Sequence, residues 1–256
     1  MSYRLKQVSF SIGSKYIVKD LEFSFQAGDL VSIIGPNGAG KTTLLKLMSG
    51  ELKPSAGQIF LNDFAFSELS LKERANKRAV MTQSSSVVFD FLVDEILEMG
   101  WVQGSSDDFS KTCSDVVNSC GLEELMGRKF NTLSGGEQQR VQFARALLQV
   151  GGLSKTTDDR FLLLDEPTSN MDVAYELNLL NLAKEVRKTG VGVIVVLHDL
   201  NLAARFSDQI ILMNSGLIVA SGQPEEVLSD RILSDVYSTQ LRVERHERLD
   251  RIIVYS

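Results

Sequence analysis

The chain has 256 residues, 43% of them apolar and 23% charged, which is ordinary globular usage and excludes a disordered chain or a fibrous repeat. A formal charge of −6 argues against a nucleic-acid partner. No apolar run approaches the ~20 residues of a bilayer span. The start, Met1-Ser-Tyr-Arg-Leu-Lys6, carries no signal-peptide core, and Cys113 and Cys120 form neither a disulfide framework nor a metal set, so a soluble protein of a reducing compartment, the cytoplasm, is expected.

Residues 1–34 alternate polar and apolar positions, with Leu21, Phe23 and Phe25 spaced by two, which predicts strands with turns at Gly13 and Gly28. Val31–Ile34 is a short apolar strand entering a glycine-rich turn, followed by a helix over Thr42–Ser49 that Gly50 closes. Gly57–Leu61 reads as a further strand. Over 86–150 the spacing turns helical, as in Val93, Ile96 and Leu97 and again in Val141, Ala144, Leu147 and Leu148. From 161 strands and helices alternate: Phe161–Leu164, a helix over 172–188, Val191–Leu197, a helix from Asp199, Gln209–Met213 and Leu217–Ala220. Such alternation predicts an α/β fold with a mostly parallel sheet covered on both faces. Residues 223–238 read as helical, Leu241–Val243 and Arg251–Val254 as a charged hairpin, and Gly151–Arg160 as a linker-like insertion.

Gly35-Pro36-Asn37-Gly38-Ala39-Gly40-Lys41-Thr42 matches the G-x-x-x-x-G-K-[ST] pattern between a predicted strand and a predicted helix, and Thr43 extends the set. Glycines let successive N–H groups turn toward phosphate oxygens, and the helix N-terminus adds its dipole. Lys41 supplies a charge to the β- and γ-phosphates, and the Thr42 hydroxyl is a Mg²⁺ ligand. Phe161–Leu164 runs into Asp165-Glu166, at the strand end where ligands sit in open α/β sheets. Asp165 suits a Mg²⁺ shell, and Glu166 suits a general base on the attacking water. Leu133-Ser134-Gly135-Gly136-Glu137-Gln138 precedes a helix. Ser134 can cap it with Glu137 completing a capping box, and the same hydroxyl, the Gly136 amide and the helix dipole can form a second anion site.

This string, set between a phosphate loop and an Asp-Glu strand, resembles the signature of the ATP-binding-cassette ATPases, and the likeness extends over roughly 2–230. The interval from Lys41 to Ser134 suits a transporter-type cassette. The resemblance implies a P-loop NTPase, RecA-like core with an N-terminal antiparallel β subdomain and an inserted α-helical signature subdomain: one domain over 1–256, with core at 1–85 and 151–230, helical subdomain at 86–150 and a C-terminal extension at 231–256. It implies that Gln83 is the Gln-loop residue, touching Mg²⁺ or water and linking core to membrane partner, that Ser169-Asn-Met-Asp172 is the D-loop, with Met171 where leucine is more usual, and that His198 is the switch histidine contacting the γ-phosphate and orienting Glu166. Asp172 can equally be an N-cap. The family stacks an aromatic ring on adenine; the matching position here is Ile12, with Tyr16 as the alternative.

By the same resemblance two copies pack head to tail, each ATP lying between Lys41 of one and the signature residues Ser134, Gly135, Gly136 and Glu137 of the other, with ATP and Mg²⁺ as cofactors and no nucleic acid. The expected partners are transmembrane permease subunits and, indirectly, a substrate-binding protein, on the cytoplasmic face of the inner membrane as a peripheral subunit. The apolar cluster Val87, Val88, Phe89, Phe91 and Leu92 is either a permease contact or packing of the helical subdomain. The stretch Leu133–Arg145 and the insertion before Phe161 are similar to the hemin-import ATPase subunits. A ferric-siderophore or cobalamin importer, an exporter and a non-transport cassette are the alternative readings.

Overall fold

The computed structural model describes residues 2–83, 88–102, 105–154, 160–169 and 171–256. Along the chain the elements are β1 (Ser2–Ile12), β2 (Lys15–Gln26), β3 (Leu30–Ile34), α1 (Lys41–Ser49), β4 (Ala56–Leu61), β5 (Phe64–Ala65), α2 (Leu71–Lys77), β6 (Arg78–Met81), α3 (Val93–Glu98), α4 (Ser106–Cys120), α5 (Gly135–Gln149), β7 (Phe161–Asp165), α6 (Val173–Lys188), β8 (Gly192–Val196), α7 (Leu200–Phe206), β9 (Gln209–Asn214), β10 (Leu217–Gly222), α8 (Pro224–Val227), α9 (Asp230–Tyr237), β11 (Arg242–His246) and β12 (Arg251–Tyr255). They form two compact units, Met1–Leu69 with Ile194–Ser256, and Ser70–Val193.

In the first unit, β1 pairs antiparallel with β2 (Tyr3 opposite Phe25, Leu5 opposite Phe23) and with β4, giving a sheet of order β2-β1-β4-β5. The period-two pattern explains it: Tyr3, Leu5, Val8, Val18, Leu21 and Phe25 are all buried. Each such side chain contributes about 1.5–3 kcal/mol of burial. β3 and β9 run parallel, Val31 opposite Gln209 and Ile34 opposite Leu212, and β10 returns antiparallel to β9. β3 is buried throughout, which is why its sequence is continuously apolar apart from Ser32, whose Oγ accepts from Ser207 Oγ at 2.5 Å. The stretch 223–238, which reads as helical, folds as two helices, α8 and α9. Leu228 is extended, and Ser229 starts the second helix by accepting from Ile232 N at 3.4 Å. β11 and β12 form the expected hairpin, and the Asn201 side chain clasps Val254 by two bonds of 2.8 and 3.1 Å. His246 is the last residue of β11, opposite Arg251, with Nδ1 buried.

In the second unit, β6 and β7 run parallel, Arg78 opposite Phe161 and Met81 opposite Leu164. α5 buries Val141, Phe143, Ala144, Ala146, Leu147 and Leu148, and α3 and α4 pack on it. At Gly100 a Cβ would come within 2.4 Å of the Arg145 carbonyl, so only glycine allows that approach. Arg145 donates to Val80 O at 3.1 Å and Gln149 to Ala75 O and Arg78 O at 3.0 and 3.1 Å, tying α5 to α2 and β6. Burial lowers the Arg145 pKa. Cys120 is buried and its thiol is pushed up to about 12, while Cys113 is half-buried and raised by burial and then by Asp94 and Glu98; both are packing thiols, held in the neutral form. Gly192 N, at the start of β8, donates to Arg160 O at 2.9 Å within this unit, and Leu197 N, just past the end of β8, donates to Ile33 O at 3.1 Å within the first. No helix among the described residues is long and apolar enough to cross a membrane.

Candidate functional site

Helix starts separate structural from ligand-facing positions. A Ser or Asp side chain caps α2, α4, α5, α6, α7 and α9. α3 and α8 also lack a side-chain cap but carry acidic residues in the first turn; α1 has neither, and Gly40 precedes it at φ +100. A helix start without a side-chain cap, at the end of a glycine loop, presents its positive end to an anion. Lys41 is buried and its Nζ donates to Gly35 O at 2.7 Å and Pro36 O at 3.1 Å, so the ammonium lies folded over the loop's own carbonyls. An added Cβ at Gly38 would meet nothing within 4 Å, leaving open space above the loop.

Three braces hold this loop from residues that the sequence pattern does not single out. Gly35, at φ +146, sits against the Met213 carbonyl, which a Cβ would meet at 2.1 Å. Gly216 N, in the turn between β9 and β10, donates to Ala39 O at 3.0 Å. The Gly35 N–H bonds to the Tyr237 hydroxyl at the end of α9, and burial pushes that phenol up to about 12. A tyrosine hydroxyl meeting a loop amide from so far along the chain has no local signature in the sequence. In the same unit, exposed His198 follows β8 one residue after the Leu197–Ile33 bond. Ile12 and Tyr16, 66% and 56% exposed, stand at the closed end of the β1–β2 hairpin, and Lys19 Nζ lies 5.7 Å from the Tyr16 ring centroid.

The second unit carries the carboxylates and the signature turn. Asp165 ends β7 and is buried. Glu166 follows with φ +48, a left-handed conformation that persists in a non-glycine residue only where its surroundings hold it. Gln83 Nε2 donates to Glu166 Oε2 at 2.5 Å, so the fold brings these two predicted residues together.

Ser134 caps α5 by the expected box. Its N–H and Oγ donate to Glu137 Oε2 at 2.7 and 2.8 Å, and Glu137 N donates back to Oγ at 3.4 Å. The Ser134 backbone and hydroxyl donors hold the Glu137 carboxyl below the usual range, with burial opposing and Arg128 and Arg140 adding to the lowering. An added Cβ at Gly135 would meet nothing within 4 Å, so the turn stays open. A cavity of about 350 Å³ separates Ser134, Gly135, Gly136 and Glu137 from Met171, Asp172 and Tyr175, with Arg140 on its wall, 4.2 Å from the Tyr175 ring centroid. The fold thus gathers signature turn and Asp172 around one opening, while Asp172 also caps α6 through Ala174 N and Tyr175 N at 2.9 and 3.0 Å. Of the apolar cluster, Val88 is 82% and Phe89 70% exposed, and Val87 lies outside the described residues, as do 155–159 of the insertion and Asn170 of the D-loop.

The residues expected to hold Mg²⁺ fit it by donor chemistry: the Thr42 hydroxyl, the Asp165 carboxylate and the Gln83 amide oxygen are hard donors of the class Mg²⁺ takes. Among the described residues no cluster of three or more His, Cys, Asp or Glu forms a soft or all-protein metal cage.

The ABC transporter family pattern matches residues 18–169. The hemin import ATP-binding protein of Rhodopseudomonas palustris (strain BisA53) is 40% identical over 92% of this chain and 87% of its own length. The protein of that name from Ruegeria sp. (strain TM1040) is 40% identical over 95% and 93%. Among solved structures, an ATP-binding subunit of an ABC transporter superposes with TM-score 0.81 at 21% identity, over 93% of this chain and 98% of the other. A dimeric ATP-binding cassette in a post-hydrolysis state, bound to ADP and Pi, superposes with TM-score 0.74 at 27% identity, over 87% and 98%. With that fold, that family match and those relatives, the chain belongs to the ABC transporter family.

Proposed function

We propose that this chain is the ATP-hydrolysing, energy-coupling subunit of a bacterial hemin importer. The observation that carries the ATPase reading is the start of α1, without a side-chain cap behind a glycine loop over which Lys41 is folded. The hemin assignment is supported by relatives 38% to 41% identical over most of the chain, all named hemin import ATP-binding proteins.

On this reading the amides of Gly35–Thr43, with Pro36, Asn37, Gly38 and Ala39 forming the curve, hold the phosphates, and Lys41 neutralises them. Ile12 and Tyr16 provide the surface for the base. Mg²⁺, when bound through Thr42, Asp165 and Gln83, supplies charge neutralisation at phosphate oxygens. The Glu166 carboxylate takes a proton from water as the water oxygen bonds to the γ-phosphorus, and the bond to the bridging oxygen breaks to leave ADP and inorganic phosphate. His198 orients the γ-phosphate. Ser134, Gly135 and Gly136 of a second copy complete the charge around the phosphates, so ATP holds the two copies together and hydrolysis releases them. Asp172 lies beside that turn. The chain acts as a single cassette over 1–256, and it docks as a peripheral subunit on permease subunits at the cytoplasmic face of the inner membrane. A substrate-binding protein delivers hemin to the permease.

Deletion of the gene tests the assignment. Growth on hemin as sole iron source is lost, returns with the wild-type gene and stays lost with Glu166→Gln. Growth on a ferric siderophore is unchanged. A deletion strain that grows on hemin but fails on a ferric siderophore reverses the substrate assignment.

A further inference from the structure

Gln139 stands on α5 beyond the Ser134–Glu137 box and takes no part in capping the helix. Its Nε2 donates to Ser169 Oγ at 2.9 Å. Ser169 Oγ donates onward to the Glu166 carbonyl at 3.0 Å, and the Ser169 N–H donates to the same carbonyl at 3.2 Å. The carbonyl thus held belongs to the residue in left-handed backbone that carries the proposed base. The Gln139 Oε1 is buried with no hydrogen-bond partner among the described residues. Buried polar atoms in folded proteins nearly always have partners, and one left without calls for a reason. The amide is placed where Ser169 needs its donor, at the expense of its own acceptor.

We propose that Gln139 and Ser169 form a positioning relay that joins the signature helix to the main chain of Glu166. Gln83 holds the Glu166 carboxylate by its side chain, and the relay holds the same residue by its backbone. An anion arriving at the Ser134 turn bears on the start of α5. Gln139, on the same rigid helix, transmits that load through two hydrogen bonds to the carbonyl that fixes where the carboxylate points. The relay therefore sets turnover rather than nucleotide affinity. This rests on the reading of Glu166 as the base and of the Ser134 turn as an anion site.

The test is steady-state ATP hydrolysis by the full-length chain carrying Gln139→Met, which removes both amide groups at matched length, Ser169→Ala, and both together. Each single variant lowers kcat roughly ten-fold, the scale of one lost positioning hydrogen bond, with KM for ATP changed less than about two-fold. The double variant is no slower than the slower single, because both act on one path. Ser169→Thr, which keeps the hydroxyl, recovers turnover relative to Ser169→Ala. Wild-type kcat in both singles, a raised KM at unchanged kcat, or losses that multiply in the double variant each overturn the relay. Should Gln139→Met unfold at the assay temperature, the contrast between Ser169→Ala and Ser169→Thr decides alone. Glu166→Gln runs beside them. Undiminished turnover in that variant refutes the base assignment. Lost turnover there, with unchanged kcat in the relay variants, refutes the relay only.

Discussion

The Ser134 hydroxyl is asked to do two jobs, capping α5 and meeting an anion, and the chain contains its own control for separating them. Ser70 caps α2 with a box of nearly the same dimensions: its N–H and Oγ donate to Glu73 Oε2, both at 2.7 Å, and Glu73 N donates back at 3.3 Å. The corresponding distances at Ser134 are 2.7, 2.8 and 3.4 Å. Alanine at either position keeps the backbone bond to the carboxylate and loses the two bonds made by the hydroxyl. Each substitution therefore costs about 1 kcal/mol, which for a chain of this length lowers the melting temperature by about 2–4 °C. Catalysis divides them. Ser134→Ala removes a donor to a phosphate, a hydrogen bond to a charged group worth about 1.5–3 kcal/mol, and turnover falls about ten- to 150-fold. Ser70→Ala turns over as wild type. Thermal melts without nucleotide, followed by ATP hydrolysis at saturating ATP, read both effects on the same preparations. Full turnover in Ser134→Ala, with its melting temperature lowered as in Ser70→Ala, reduces Ser134 to a cap and refutes the anion-site argument.

Glu166→Gln binds ATP but loses about 10²–10⁴ in turnover, the share of a general base, and size exclusion with ATP shows it trapped as a dimer; undiminished hydrolysis refutes the assignment. Lys41→Ala raises the nucleotide dissociation constant at least about thirtyfold, the cost of removing one partner of a charge-to-charge hydrogen bond, and a wild-type affinity by calorimetry overturns that role. Glu73, Asp90, Asp108, Glu137 and Asp230 all have carboxyl pKa values lowered by hydrogen bonds in the folded chain, Asp90 and Asp230 first through Lys129 and Arg242. A lowered folded pKa means that the unfolded chain binds protons first. The stability these groups add is therefore complete above the unfolded carboxylate range, near pH 4–5, and drains away as pH falls through their folded values. Melting temperatures from pH 7 to pH 3 decline less steeply in Glu73→Gln than in wild type; parallel declines contradict the linkage.

Local chemistry determined most of the elements from sequence alone. The alternation in Leu21, Phe23 and Phe25, the continuous apolar run of β7, the glycine closing α1 and the Ser134 and Asp172 caps each act over a few residues, so pattern suffices to place them. The phosphate loop, the Asp165-Glu166 pair and the signature turn were legible for the same reason, being short strings whose chemistry needs those residues in that order. β6, only four residues long, and the short α2 carry too little periodicity to be legible in the sequence; pairing with β7 and the reach of Gln149 to Arg78 O define that strand. The division of 223–238 into two helices depends on Ser229 capping the second, a choice no window average registers. Only tertiary structure decided that Tyr237 and Gly216 brace the phosphate loop, that Gln83 meets Glu166, and that Gln139 reaches Ser169. Each of those contacts joins residues far apart in sequence, and they become neighbours only once burial of the apolar strands has closed the chain on itself.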